Sequence, residues 1–335
     1  MMLQTRREFV TMLTMAGASD ALGLEARSAA ADAPPEIKKI RLVRIPGICI
    51  APQYVAEDLL RTEGFTDVSY IQTPAGIEAS RAVALGDADF TIIFSAPVIL
   101  NIEAGAPVVL LGGVHVGCFE LFATERVHSI RDLKGKRVAV QSLQSSQHIF
   151  LSSMAAYVGL DPGKDINWAT YPSAESIRLL AEGKIDAFLA FPPEAQELRA
   201  RKIGHVVVNS GADRPWSQYL CCMLAGNREF VRKNPIATKR VLRAILKASD
   251  LCALEPERSA RTVIEKGYAT NYEYALQTMR DVTYGKWRQY NPEDTVRFYA
   301  LRLHEAGMIK SSPQKIVGQA SDLRFFKELR QELKN

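Results

Sequence analysis

The chain has 335 residues, with 42 lysines and arginines against 37 aspartates and glutamates, which gives a formal net charge of +5. The basic residues are distributed among acidic ones instead of clustering beside aromatic side chains, so the composition excludes the usual pattern of a nucleic-acid binder. Beyond the N-terminal segment, no apolar run reaches the ~18 residues of a membrane-spanning helix.

The N-terminal segment has the pattern of a twin-arginine export signal. Arg6-Arg7 is followed by Phe9 and a run of small and apolar residues, as in signals that the twin-arginine translocase recognises. Residues 29–31 are three alanines, which suits a signal peptidase that accepts only small side chains. We expect residues 1–31 to be a cleaved signal peptide, residues 32–36 to be a short leader, and the mature protein to be periplasmic.

After the leader, strands and helices alternate twice. The first series predicts strand 40–45, helix 52–63, strand 68–71, helix 75–85 and strand 90–94, and the second predicts strand 137–141, helix 147–158, strand 166–169, helix 174–182 and strand 187–191. The last strand of each series is apolar throughout, which is typical of parallel strands buried on both faces. This alternation predicts right-handed crossovers onto parallel sheets, and therefore two α/β lobes.

The two series are also related in sequence at a constant offset of 97 residues. The identical pairs are Glu78/Glu175, Arg81/Arg178, Ala84/Ala181, Gly86/Gly183, Asp89/Asp186 and Phe94/Phe191. In each copy a helix ends at a glycine that can adopt a positive φ, and the chain then turns through an aspartate into the apolar strand. The offset therefore indicates a duplicated unit.

From about Pro235 onward the pattern changes to helices. They are predicted at 235–254, 256–266, 272–282, 292–305 and 322–333. Because these helices have one apolar face, we expect them to complete the first lobe. We assign residues 37–124 and 215–335 to lobe 1 and residues 125–214 to lobe 2, with crossovers near 122–132 and 211–224.

The cysteines and histidines give no local metal signature. There are five cysteines, at positions 49, 118, 221, 222 and 252, with no Cys-x-x-Cys pair, and the five histidines are scattered. We therefore predict no metal and no cofactor. Export would permit a disulfide, but a core of this size does not need one, and most of these thiols are expected to be small buried hydrophobes.

Five short segments carry a family resemblance. They are residues 51–56 (APQYVA), 85–90 (LGDADF), 95–97 (SAP), 132–140 (DLKGKRVAV) and 183–187 (GKIDA). In their order and spacing, the chain resembles the periplasmic substrate-binding proteins of ABC importers, in the nitrate/sulfonate/taurine and thiamine-pyrimidine-precursor group. The resemblance covers nearly all of residues 37–330.

The resemblance implies an α/β fold of the type II periplasmic binding proteins, in which two doubly wound lobes enclose a ligand cleft and the C-terminal region is helical. It implies capture of a small organic or inorganic solute by lobe closure and delivery to ABC permease subunits. It further implies a monomer without catalytic activity. The twin-arginine translocase would be a partner only during export, and no nucleic acid is expected as a partner.

Ligands of open α/β sheets lie outside the carboxyl ends of the strands, and one loop at such an end is polar. Ser142, Ser145 and Ser146 lie between a predicted strand and a predicted helix. The helix start can hold a carboxylate, sulfonate or phosphate, or a serine can simply cap the helix, and both can hold together. Family members often carry Lys-Gly-Ser here, whereas this chain has Leu143-Gln144-Ser145; a charged clamp is therefore not expected.

The other candidate contacts come from equivalent loops. They are Cys49, Ile50, Gln53, Ser95, Ala96, His115, Phe191 and Glu194. The first loop is apolar, which suggests a partly apolar ligand. Glu194 can bind a cationic or N–H-bearing group or merely complement a helix dipole. His115 and Cys118 are expected near the hinge, in core packing or in ligand contact.

Two alternative functions remain open from the sequence. Cys49 is placed like the nucleophile of the similar-looking aromatic-sulfinate desulfinases, with His115 or His148 as the base that a thiol nucleophile needs. The flanking isoleucines would raise the pKa of this thiol, and common catalytic motifs such as Gly-x-Ser-x-Gly are absent from the sequence. The second alternative is a solute sensor that docks on a receptor instead of a permease.

Overall fold

The computed structural model of the chain describes residues 33–334. The predicted signal peptide, residues 1–31, lies outside the described residues. From Pro35 onward the chain forms one compact unit. None of the helices within the described range is long and apolar enough to span a membrane.

The first sheet has five strands in the order β2-β1-β3-β10-β4. The strands are β1 (Lys39–Arg44), β2 (Asp67–Gln72), β3 (Phe90–Phe94), β4 (Val108–Val116) and β10 (Leu220–Asn227). β1 is parallel to β2 and β3, whereas β10 is antiparallel to β3 and β4. Every residue of β3, β4 and β10 is buried, as expected for strands covered on both faces.

The second sheet repeats this arrangement, with the order β7-β6-β8-β5-β9. Its strands are β5 (Glu120–Ala123), β6 (Arg137–Val140), β7 (Asn167–Thr170), β8 (Ala187–Ala190) and β9 (His205–Asn209). β3 and β8, the strands of the 97-residue repeat, occupy the same position in their sheets. The prediction of an α/β fold with two separate sheets is therefore confirmed.

One feature of the sheets differs from the prediction of parallel strands. β5 is antiparallel to its neighbours β8 and β9, as β10 is in the first sheet. β4 ends where the two sheets meet, so the chain enters the second sheet at the carboxyl ends of the parallel strands and must run the opposite way. The chain first passes from the first sheet to the second between Val116 and Glu120. β5 therefore belongs to the second sheet, although its residues fall within the range 37–124 that was expected for lobe 1. The lobe boundaries stay a prediction.

The helices before residue 210 connect the strands. They are Ala51–Val55, Glu57–Thr62, Ile77–Leu85, Ser95–Glu103, Ser146–Tyr157, Ser173–Ala181 and Glu194–Ala200. The later helices are Arg228–Lys233, Pro235–Leu254, Pro256–Glu265, Tyr272–Asp281, Pro292–Glu305, Pro313–Ala320 and Arg324–Glu332, and the 3₁₀ helices are Ile130–Leu133, Trp216–Gln218 and Tyr284–Gln289. Helix Pro235–Leu254 packs on helix Ala51–Val55 and on β4 of the first sheet, as predicted for this region.

The duplicated aspartates explain why the repeat is visible in the sequence. Asp89 accepts a hydrogen bond from the backbone N–H of Arg41 at 2.7 Å, and Asp186 accepts one from the backbone N–H of Arg137 at 2.8 Å. Each aspartate thus ties the start of the third strand of its lobe to the start of the first. The repeated residues support the backbone framework.

Candidate functional site

The loops after the parallel strands of the two sheets contact each other. The backbone N–H of Ile48, after β1, donates a hydrogen bond to the carbonyl of Pro192, after β8, at 3.1 Å. We call this contact region the seam. Its first-lobe side consists of residues 46–50, 74–76 and 94–96, and its second-lobe side consists of residues 141–150 and 191–194.

Two glycines allow the seam to close. Gly76 has a φ of +115°, and a Cβ there would lie 2.8 Å from the carbonyl oxygen of Gln144 and 2.9 Å from the Cα of Ser145. Gly47 has a φ of +135°, and a Cβ there would lie 2.6 Å from the ring of Phe191. Any larger residue would separate the loops, so these glycines are required for the close approach of the two sides.

Aromatic rings fill the centre of the seam. The ring of Phe94 lies 4.9 Å from that of Phe150 and 5.4 Å from that of Phe119, centroid to centroid. Phe119 in turn lies 6.0 Å from Phe191, which comes from the second lobe. All four side chains are buried. The centre of the seam is therefore apolar and aromatic, while the partly apolar ligand inferred from the first loop stays a prediction.

Several predicted contacts are engaged within their own lobe. Gln53 is fully buried; its Nε2 donates to the carbonyl of Val43 at 2.8 Å, and its Oε1 accepts from the backbone N–H of Ile92 at 3.0 Å. Its amide thus connects β1 to β3 inside the first lobe. Ile50 and Ala96 are fully buried as well. A ligand-binding role for these three residues stays a prediction.

The four predicted serines differ in burial and in hydrogen bonding. Ser145 caps the helix that begins at Ser146, since its Oγ accepts a hydrogen bond from the backbone N–H of His148 at 3.3 Å. Ser145 and Ser146 are buried and Ser142 is exposed. Ser95, at the start of the opposite helix, has a buried Oγ without a hydrogen-bond partner among the described residues.

Gln147 was not predicted as a site residue. Its side chain is fully buried, and neither Oε1 nor Nε2 has a partner in the described part of the chain. Gln147 lies three residues before Phe150 on the same helix face, and Phe150 contacts Phe94, the residue before Ser95. The signal that points to it in the sequence is a glutamine in the first turn of the helix after the first parallel strand, since Gln53 also lies in such a turn in the other lobe.

Glu194 anchors the loop after β8. Its carboxylate accepts hydrogen bonds from the hydroxyl of Ser173, from Nε2 of Gln141 at 3.2 Å and from the backbone N–H of Phe191 at 3.2 Å. Burial raises the pKa of Glu194 to about 7, although these donors lower it in part. The group therefore titrates near neutral pH and holds Phe191 in the seam.

A second group of polar side chains consists of Cys49 of the seam and three residues close to it. The group consists of Cys49, His115, Cys118 and Cys222, whose ligand-type atoms all lie within 4.8 Å of one another. We call it the Cys3His cluster. All four residues are buried, and none of the five cysteines forms a disulfide.

The environment of Cys49 does not favour a nucleophile. The pKa of its thiol is raised well above the usual value: a hydrogen bond with Cys118 lowers it, but a hydrogen bond with Cys222 and burial together raise it more. The alternative base His148 belongs to the second lobe, where its ring packs edge-on against Trp168 at 4.7 Å, and burial lowers its pKa.

Two cavities open beside the seam. The larger, about 570 Å³, lies at the carboxyl ends of β1 and β2 and is lined by Arg44, Gln72 and Tyr268 together with Glu197 of the second lobe. The smaller, about 190 Å³, lies at the two crossovers and includes Cys118 in its lining. The seam is thus closed at its centre and accessible from both sides.

Known proteins resemble this chain in sequence and fold. The bicarbonate-binding protein CmpA of Synechococcus elongatus is 28% identical over 123 residues, which is 37% of this chain and 27% of CmpA. The match therefore spans only about a quarter of that relative.

Solved structures extend the likeness to most of the chain. The periplasmic nitrate-binding protein NrtA of Synechocystis superposes with a TM-score of 0.75 at 16% identity, covering 90% of each chain. The alkanesulfonate-binding protein SsuA of Xanthomonas axonopodis, bound to MOPS, superposes with a TM-score of 0.66 at 19% identity, covering 82% of this chain and 96% of SsuA. This is the fold predicted from the sequence.

A family model, described as the NMT1-like family, matches residues 33–265. The matched range contains both sheets and all the residues of the seam. Since it also covers more than half of the chain, this protein belongs to the NMT1-like family.

Proposed function

We propose that this protein is an exported solute-binding protein that captures a small solute in the seam by lobe closure and releases it unchanged to an ABC permease. Membership of the NMT1-like family supports this function, and so does the likeness to proteins named for binding bicarbonate, nitrate and alkanesulfonate. We expect the protein to act as a monomer whose closed form is stabilised by the ligand in proportion to the ligand's differential affinity for that form.

One observation carries the proposal. Gln147 and Ser95 have buried polar atoms without a hydrogen-bond partner among the described residues, at the starts of two helices that contact each other across the two lobes. An unpaired buried polar group costs about 1–3 kcal/mol, so a polar partner at these helix starts would remove that cost. A bound solute that accepts from the Ser95 hydroxyl and from the Gln147 amide supplies that partner.

The chemistry of the seam restricts the solute. Its residue ranges contain no lysine or arginine, while its centre is aromatic and its polar side chains are serine hydroxyls, glutamine amides, the imidazole of His148 and the carboxyl group of Glu194. We therefore infer a small polar solute with several acceptor atoms, of which oxyanions are one class, recognised by hydrogen bonds instead of a cationic clamp. The partly apolar walls accommodate a short organic substituent.

The experiment is calorimetric titration of the mature protein with nitrate, bicarbonate, a short alkanesulfonate and a pyrimidine, followed by mass spectrometry of the recovered solute. We expect one of these to bind with one site per chain and to be recovered unchanged. A chemically altered solute, together with loss of the change in Cys49→Ser, would establish the enzyme alternative instead.

The sensor alternative uses the same closure and differs only in the partner. Co-purification of the ligand-loaded protein with permease subunits from membranes supports import. Loaded protein that instead binds a receptor domain, with no uptake defect after deletion of the gene, would favour sensing.

We also propose export by the twin-arginine route. Replacing Arg6 and Arg7 with lysine should leave the precursor in the cytoplasm, because the translocase recognises the arginine pair. Fractionation and immunoblotting report the location. Mature protein at wild-type periplasmic levels in this double variant would contradict the route, and replacement of Arg27 with lysine is the matched control.

A further inference from the structure

We propose that the Cys3His cluster is a binding site for a thiophilic metal ion, with Zn²⁺ as the best fit. The cluster lies outside the set of polar groups assigned to the solute. It also contains no feature that solute capture requires. The inference is therefore independent of the proposed function.

The spacing of the cluster is close to that of a tetrahedral metal site. With Zn–S bonds of about 2.3 Å, neighbouring sulfurs of a tetrahedral site lie about 3.8 Å apart. The ligand atoms of the cluster all lie within 4.8 Å of one another. Side-chain rotations that move each ligand atom by less than about 1 Å therefore bring all four atoms to one ion, and the strands do not have to move.

His115 provides an observation independent of the sulfur spacing. Its Nδ1 lies 2.9 Å from the carbonyl oxygen of Val116, which places the ring proton on Nδ1 and leaves a lone pair on Nε2. Nε2 is buried and has no hydrogen-bond partner within the described residues. A histidine that donates from one nitrogen to a backbone carbonyl and leaves the other bare is in the tautomer that binds metals.

Strand pairing and one tyrosine hold the residues of the cluster in place. His115 and Cys222 are cross-strand partners in β4 and β10. The hydroxyl of Tyr284 donates to the carbonyl of Cys49 at 2.9 Å, and the Tyr284 ring packs edge-on against that of His115 at 5.4 Å. One tyrosine thus orients two of the four ligands, as supporting residues do around established metal sites.

The ligand set selects the ion. Three sulfurs and one imidazole are a combination found in structural zinc sites, whereas Ca²⁺ and Mg²⁺ require oxygen ligands. Binding of Zn²⁺ breaks the three S–H bonds, forms three Zn–S bonds and one Zn–N bond, and releases the three protons to solvent. No oxidant or reductant takes part.

The position of Cys118 gives the site a path to solvent. Cys118 lies in the first crossover and lines the 190 Å³ cavity, where the guanidinium of Arg199 is paired with the carboxylates of Glu120 and Asp281. A small ion can therefore reach Cys118 through this cavity. Because the other three ligands belong to the first sheet or to the loop after β1, the bound ion would fasten this crossover to the first lobe.

The experiment uses the mature protein, reduced and stripped with a chelator, and Zn²⁺ in competition with a chromophoric indicator. We expect one Zn²⁺ per chain with a Kd of about 50 nM or tighter. Proton release should accompany binding. Co²⁺ in the same site should show the sulfur-to-metal absorption of thiolate ligation.

Variants separate the cluster from the other thiols. Cys118→Ser and Cys222→Ser should each weaken Zn²⁺ binding by more than about 100-fold, since loss of a mere supporting residue already costs 10–100-fold. Cys252→Ser is the matched control, because Cys252 is equally buried but lies outside the cluster. If a variant does not fold, protection of the wild-type thiols from alkylation by Zn²⁺ reports the same ligands.

Three results would overturn the proposal. One is the absence of stoichiometric Zn²⁺ binding by the reduced, folded protein. Another is an equal loss of affinity in Cys252→Ser. The third is a Cys118–Cys221 disulfide in the protein isolated from its own compartment, because these sulfurs lie 3.7 Å apart and the disulfide would consume a ligand.

Discussion

Gln53 and Gln147 both lie in the first turn of the helix that follows the first parallel strand of their sheet, but among the described residues only the side chain of Gln53 is hydrogen-bonded. Both side chains are fully buried. Gln53 connects the backbones of β1 and β3, whereas both polar atoms of Gln147 lack partners among the residues described. The first-lobe glutamine thus connects two strands of its sheet, and the second-lobe glutamine is the one to which we assigned the proposed solute contact.

The two copies of the duplicated unit share the contacts that support the backbone but differ in the loops at the seam. The aspartates Asp89 and Asp186 hold the backbone in the same way in both lobes. The loops at the seam have diverged, from the apolar 46–50 in the first lobe to the polar 141–145 in the second. Residues that make the same contacts in both copies therefore support the backbone of each lobe. Segments whose sequences differ between the copies indicate where the two lobes have different roles.

The largest expected effect comes from replacing the two glutamines one at a time. Gln53→Leu leaves the carbonyl of Val43 and the N–H of Ile92 unpaired, so we expect the free energy of unfolding to fall by about 2–6 kcal/mol. Gln147→Leu removes a polar group that is already unpaired, so stability should be unchanged or rise by about 1–3 kcal/mol. Urea denaturation measures both.

Solute affinity should show the reverse order. Gln147→Leu loses a hydrogen bond to the solute and should bind more weakly by about 0.5–1.5 kcal/mol, or about 1.5–3 kcal/mol if the bonded atom is charged. Folded Gln53→Leu should bind as the wild type does. Equal affinity losses in both variants, measured by calorimetry, would mean that Gln147 has no special role in the seam.

Glu194 provides the second comparison, because the residue 97 positions earlier is Pro97, which cannot titrate. Burial raises the pKa of Glu194 from 4.5 to about 7. Between pH 4.5 and about pH 7 the carboxyl group of Glu194 is ionised in the unfolded chain but protonated in the folded chain. Stability therefore falls as pH rises through this window, by roughly 3 kcal/mol in total, and below pH 4.5 the effect vanishes.

The measurement is the free energy of unfolding of the wild type minus that of Glu194→Gln, followed from pH 4 to pH 8. We expect this difference to decline with rising pH. Ser173→Ala removes a donor that lowers the pKa of Glu194, so the decline should extend to higher pH in that background. A difference that does not change with pH would show that the pKa of Glu194 is the same in the folded and unfolded chains.

Much of the fold was predictable from the sequence. Strand Phe90–Phe94 and helices Pro235–Leu254 and Pro292–Glu305 have the predicted bounds, because apolar runs, proline starts and glycine ends are local signals. β10 (Leu220–Asn227) was not predicted as a strand, and its direction was not predictable either, since a fully buried strand has the same apolar pattern whether parallel or antiparallel. Helix Pro313–Ala320 was missed for lack of a long apolar face.

The candidate site was less predictable, for a physical reason. Whether Gln147 has a hydrogen-bond partner depends on which backbone groups tertiary packing brings to it, and its own neighbours do not reveal this. The Cys3His cluster escaped a search by spacing because Cys49, His115 and Cys222 come from three distant segments. The pairing of β4 with β10 brings His115 next to Cys222, and the loop after β1 adds Cys49.

The smallest expected effect tests closure, by comparing two glycines that both have a positive φ. Gly76 lies in the seam, and a Cβ there would meet the backbone of Gln144 and Ser145; at Gly105, with a φ of +83°, a Cβ would meet no atom of the described residues within 4 Å. Alanine should cost about 1–3 kcal/mol of stability at either position, through backbone strain. Only Gly76→Ala should also hold the lobes apart.

Gly76→Ala should therefore weaken solute binding by about 1.4 kcal/mol, or roughly tenfold. The reason is that closure would force the new Cβ against the backbone of Gln144 and Ser145, and this repulsion offsets part of the binding free energy. Small-angle scattering should show less compaction on solute addition than in the wild type, and Gly105→Ala should behave as the wild type in both measurements. Equal binding by the two variants would mean that solute is held within one lobe. Closure of the seam would then contribute nothing to capture, and Gln147 would have to act without its first-lobe partner, Ser95.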